Sequence, residues 1–96
     1  MEITFTQFFM PDGRQAPVII DRPDDVGEKA KQLIDSGCRL EIEMLQTGQI
    51  SMTVEQDKSD GEIDLLAQEI CSNGPAVPIA IDKLIIAALK DIKPNE

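Results

Sequence analysis

Ninety-six residues suffice for one domain with one core, and a 42% hydrophobic content is that of an ordinary globular chain. Nine basic against eighteen acidic side chains leave a net charge of −9, which repels nucleic acid and anionic membranes and leaves basic protein surfaces as partners. Three Phe with no Trp or Tyr remove the usual base-stacking platforms, and the absence of His removes the commonest general base and metal ligand.

Residues 2–10, EITFTQFFM, read as a first strand. Ile3, Phe5 and Phe9 share one face with Gln7, while Thr4, Thr6 and Phe8 share the other, so a central position or cover on both sides is expected. The turn Pro11-Asp12-Gly13 closes a hairpin that pairs Met10 with Arg14 and Phe8 with Ala16. The second strand, 14–20, contains Pro17, which donates no ladder hydrogen bond and places the strand at an edge.

A helix is expected over 21–36, with Asp21 as N-cap, Pro23 in the first turn and Asp24, Asp25 and Glu28 at the positive end of the dipole. Val26, Ala30, Leu33 and Ile34 form its apolar stripe, Lys29, Lys31 and Asp35 face water, and Gly37 ends it.

The stretch GCRLEIEMLQTGQISMTVEQ, 37–56, is a β-hairpin by strict alternation. Its two apolar sets meet on one face when Met44 pairs with Ile50, Ile42 with Met52 and Leu40 with Val54; a slip of one residue turns one set to water. That register leaves Gln46-Thr47-Gly48 as a loop with Gly48 at positive φ. On the other face Arg39 opposes Glu55, and Glu41 opposes Thr53.

After the polar turn 57–61, the stretch 62–71 carries two patterns. Ile63, Leu66, Ala67 and Ile70 recur at helical spacing, with Ser59 and Glu62 as a capping box, and this fits slightly better than alternation of Ile63, Leu65 and Ala67. A strand would instead cover the hairpin's free edge. Ser72-Asn73-Gly74-Pro75 is a break, and a last helix runs from about 75 to 90. Its stripe is Val77, Ile81, Leu84, Ile85, Ala88 and Ile92, widened by Ile79, Ile86 and Leu89, with Pro75 and Pro78 in the first turn. Nothing marks a boundary, so 1–92 form one domain and 93–96 a frayed tail.

The succession PDGR, IDRP, TGQISMTV and SNGPAVP resembles small uncharacterised α+β proteins of tailed phages and prophages. The shared motifs are structural turns, so the resemblance implies no activity and no catalytic residues. It implies a strand in the segment before the NGP break. The expected fold is therefore α+β: an antiparallel four- to five-stranded sheet with two helices, in the order ββαβββα.

The chemistry-bearing residues point away from an enzyme. The carboxylate pairs Asp24 and Asp25, Glu41 and Glu43, and Asp60 with Glu62 and Asp64 have no apolar pocket to raise a pKa; Glu41 and Glu43 point away from the expected core. Asp57, Asp60, Glu62 and Asp64 resemble part of a calcium loop but lack a placed bidentate Glu, so they read as an acidic turn. Cys38 and Cys71 approach across the expected sheet, yet two thiolates alone make a poor zinc site. They are expected as reduced structural thiols in a cytoplasmic protein, since MEITFTQFF lacks the basic-then-apolar start of a secretory signal and no run of about 18 apolar residues spans a membrane. The NGP before the last helix has no Lys or Arg nearby to help hold an anion, and no phosphate-binding loop is present.

The expectation is a non-enzymatic protein-binding module without metal or cofactor. Its contact face would carry Arg39, Glu41, Glu43 and Glu55, and its partner would be another protein, basic, or a second copy of itself. The competing expectation is a structural or self-assembling protein, in which Leu45, Phe8 and Met10 exceed what one thin domain buries.

Overall fold

The computed structural model describes residues 1–9 and 12–92, with the side chains of all of these except 6–9 and 15. The fold is α+β with two helices: β1 (Glu2–Phe9), β2 (Gln15–Asp21), α1 (Asp24–Asp35), β3 (Cys38–Met44), β4 (Gln49–Asp57), β5 (Ile63–Ser72) and α2 (Ala76–Asp91). An antiparallel pair, β2-β1, and an antiparallel triple, β3-β4-β5, are joined by a short parallel ladder between β1 and β3, giving the strand order β2-β1-β3-β4-β5.

That parallel ladder corrects the expectation of an antiparallel sheet. It links Gln7 with Glu41, Phe8 with Ile42 and Phe9 with Glu43. Hairpins announce themselves through local turn chemistry. Here β2 returns the chain to the end where β1 began, α1 passes over one face, and β3 enters beside β1 in the same direction; such a crossover leaves no local mark.

The 37–56 hairpin has the expected register, with Met44 opposite Ile50, Ile42 opposite Met52 and Leu40 opposite Val54. Gly48 takes φ +87°. One loop design recurs. In the loops around Asp12, Thr47 and Asp60, a side-chain oxygen accepts the backbone N–H two residues on, from Arg14 (3.0 Å), Gln49 (3.4 Å) and Glu62 (3.0 Å). The intervening Gly13, Gly48 and Gly61 all lie at φ near +87°. Phe8 opposes Ala16 as expected, whereas the Met10–Arg14 pair falls outside the described residues. β2 is an edge strand, as Pro17 requires.

The register of β1 against β2 shifts between Phe5 and Phe8, so the alternation expected from Ile3 through Phe9 does not carry across. β1 is central, but only one of its faces is covered at the described side chains: Ile3 and Phe5 are buried and Thr4 is exposed.

The segment forms the strand Ile63–Ser72, against the slightly better helical spacing of 62–71. Pairing along all of β4 supplies the hydrogen bonds, and the extra residue that spoils the alternation is absorbed as a bulge, since Val54 opposes Ala67 while Glu55 opposes Leu65. Leu66 lies in the bulge and is buried.

Both helices pack on one face of the sheet, α1 over β1 and β3, α2 over β4 and β5, and they touch each other. The core between the layers contains Ile3, Phe5, Leu33, Leu40, Met52, Val54, Ile81, Leu84 and Ile85, all at most 2% exposed. α1 starts later than expected. Asp21 is the last residue of β2, Pro23 occupies the cap position, and among the described residues no side chain caps the helix. Arg22 precedes a proline, which disfavours helical geometry there and accounts for the later start. Val26, Ala30 and Leu33 are buried as expected, but Ile34, on the flank of the stripe, is 47% exposed. On α2, Ile79 and Ile86 do not widen the buried stripe. At 3.6 residues per turn they project nearly opposite the centre of the arc formed by Ile81, Leu84, Ile85 and Ala88, and Ala80 fills the covered arc instead.

A forked ion pair closes the helical layer. Arg22 Nε donates to Asp82 Oδ1 at 2.9 Å and a terminal nitrogen donates to Oδ2 at 2.6 Å, with the two side chains 20% and 30% exposed. The Asp82 carboxylate holds the Arg22 guanidinium above its ordinary pKa. An Asp82→Ala variant should lose about 1–3 kcal/mol in urea unfolding, between the values of a surface pair and a buried one, while Asp91→Ala on the same helix should stay within about 0.5 kcal/mol.

Candidate interaction face

With the helices on one side, the alternate residues of the strands form an open face. From β3 it receives Arg39, Glu41 and Glu43, and from β4 Ser51, Thr53, Glu55 and Asp57. Arg39 is the hub. One terminal guanidinium nitrogen lies 3.3 Å from both Glu55 and Asp57, and the other lies 4.0 Å from Glu41. Arg39 Nε is buried without a hydrogen-bond partner among the described residues, so the group is held by its end nitrogens. One cation against three carboxylates leaves this cluster negative, and Glu43 adds a fourth carboxylate two residues from Glu41, about 7 Å along the strand.

Beside the cluster is a hollow lined by Glu41, Ile42, Glu43, Ser51 and Thr53, with a volume of about 60 Å³. That admits a few water molecules and is far below the roughly 300 Å³ of a small-molecule site. Its floor is fixed by Ser51, which is 8% exposed and accepts a hydrogen bond from Gln68 Nε2 at 3.4 Å.

The structure thus gathers Arg39, Glu41 and Glu55 at one point and places Glu43 by the hollow. Asp57 was missed by sequence reading. Continuing the alternation from Glu55 by one more step would have found it, since it sits diagonally across from Arg39. The acidic turn is dispersed: Asp57 faces Arg39, Asp60 accepts the Glu62 N–H, and Asp64 pairs with Lys58 at 3.1 Å, which raises the Lys58 pKa. Among the described residues no three His, Cys, Asp or Glu side chains are placed to hold a metal ion.

The expected approach of the cysteines does not occur. Cys38 opposes Gln56 and Cys71 opposes Ile50, six residues apart along β4 or about 20 Å. Burial pushes both thiols above their ordinary pKa, aided by Asp57 at Cys38 and Glu69 at Cys71. Cys38 is 5% exposed and Cys71 half-buried. In native buffer a thiol reagent should modify Cys71 first and Cys38 only on unfolding, read as two phases that merge in denaturant. A raised folded pKa means the contribution of these thiols to stability is fully present below the unfolded value, about 8.5, and declines as pH rises through the folded one. The unfolding midpoint should therefore fall in mild alkali, and Cys38→Ala should flatten that fall.

Of the apolar groups expected to drive assembly, Leu45 is half-buried, while Met10 and the side chain of Phe8 lie outside those described. Among the described residues no helix is long and apolar enough to cross a membrane. Comparison with known proteins matches this chain to no family model, no curated protein and no solved structure.

Proposed function

We propose that this chain is a small non-enzymatic binding module that docks a basic protein surface through its open sheet face, with Arg39, Glu41, Glu43 and Glu55 at the contact and Asp57 beside them. The observation that carries the reading is the carboxylate cluster around a single arginine on the sheet face opposite α1 and α2. Arg39 fixes the carboxylates in place without neutralising them, so their field is pre-ordered for a cationic partner. In its sharper form the row of carboxylates stands in for nucleic-acid phosphates and occupies a basic groove of a nuclease or DNA-binding protein. The resemblance of its turn motifs to those of small phage and prophage proteins favours that setting.

The test is capture from lysate by the wild type and by a Glu41→Lys/Glu43→Lys double variant, at about 50 mM and about 500 mM salt, where screening shortens from beyond 10 Å to a few ångström. Glu41 and Glu43 lie on the open face, so the variant is expected to fold, as checked by circular dichroism. A basic protein held by the wild type at low salt, and lost both at high salt and in the variant, is the expected result. Equal capture by both proteins, or none at either salt, would overturn the reading.

A further inference from the structure

The two edges of the sheet are built differently. β2 carries Pro17, a device that blunts an edge, whereas β5 has ten residues, no proline and, among the described residues, no element paired along its outer side. The open face also changes character at β5. Its row there is Ile63, Leu65, Gln68, Ile70 and Ser72, without a charge in a chain of net charge −9, and the three apolar members are 53–58% exposed.

We infer that β5 is the contact strand of a homodimer, in which two copies pair antiparallel about a two-fold axis and the two sheets become one. The sequence of β5 selects the occupant and the register. The bulge at Leu66 confines regular pairing to 67–72. A two-fold axis normal to the sheet brings residues of the same face together, so the axis passes through a residue. At Glu69 it would set two carboxylates against each other, and at Cys71 it would leave only the end of the strand paired. At Ile70 it sets Ile70 on its own copy, Gln68 opposite Ser72 and Glu69 opposite Cys71, with no like charges facing. An uncharged apolar row between acidic surfaces is compatible with its own copy, whereas a cationic partner is drawn to the cluster on β3 and β4.

The test is the molar mass of the full chain by light scattering and equilibrium sedimentation from micromolar to millimolar concentration. Twice the 10.6 kDa chain mass is expected for the wild type. Ile70→Lys, an exposed position, should give a folded monomer by circular dichroism, and Ile19→Lys on the opposite edge should leave the dimer intact. Ile70→Cys should form a covalent dimer under mild oxidation, because directly opposed residues are within disulfide reach. A wild-type monomer throughout, a dimer unaffected by Ile70→Lys, or an Ile70→Cys chain that stays uncrosslinked would each overturn the inference.

Discussion

A Leu84→Ala variant is expected to lose about 2–5 kcal/mol, a large share of the roughly 5–14 kcal/mol that holds a 96-residue domain folded. Leu84 is fully buried in the middle of α2, between the helix and the strands β4 and β5 beneath it. Truncation removes three carbons, Cγ and its two methyl groups, from the layer contact and leaves a cavity between helix and sheet. Ile86→Ala, two residues on but 43% exposed, should cost under about 1 kcal/mol. Urea unfolding reads both, with the midpoint shifted and the denaturant slope unchanged. Equal costs at the two sites would mean that α2 does not lie on the sheet with the face described.

The contrast between Leu84 and Ile86 also shows where sequence reading stopped. α2 is apolar nearly all round, so periodicity could not separate the arc that meets the sheet from the one that meets water. Alternation served better for β3 and β4, where a polar residue at every second position fixes both faces and therefore the register. It failed at the Phe5–Phe8 shift and obscured β5, because a bulge reverses the phase of a period-two pattern. The loops were legible for a different reason: a glycine at positive φ after a residue that bonds the backbone is a local device. The parallel join of β1 to β3 depends on where α1 lays the chain down, which no short window contains.

The candidate face was legible residue by residue but not as a cluster. Opposition of Arg39 and Glu55 follows from the hairpin register; the diagonal reach of Arg39 to Asp57 and its long approach to Glu41 follow from side-chain geometry. The uncharged row on β5 became visible only once the bulge had fixed which of its residues share the open face with Glu41 and Glu55.

Gln56 offers the sharpest electrostatic test of the fold. It occupies the core-facing side of β4 one step beyond Val54, is 4% exposed, and its Nε2 donates to the Ser36 carbonyl at 3.1 Å, satisfying a group at the end of α1. Gln56→Glu keeps the shape, replaces the donor with an acceptor, and sets a carboxylate against a carbonyl oxygen away from water. Both effects raise the folded pKa of the new carboxyl. Relative to wild type at each pH, the variant should be nearly as stable below about pH 4.3, the unfolded value, where the carboxylic acid can still donate to Ser36. Its deficit should grow as pH rises and level off above the folded pKa at about 2–4 kcal/mol. Gln56→Leu carries no charge and should show a deficit of about 1–3 kcal/mol that does not change with pH. Chemical denaturation of the three proteins between pH 4 and 8 separates the cases; a flat difference between Gln56→Glu and wild type would mean that this side chain is solvated and that the junction of α1 with β4 is open.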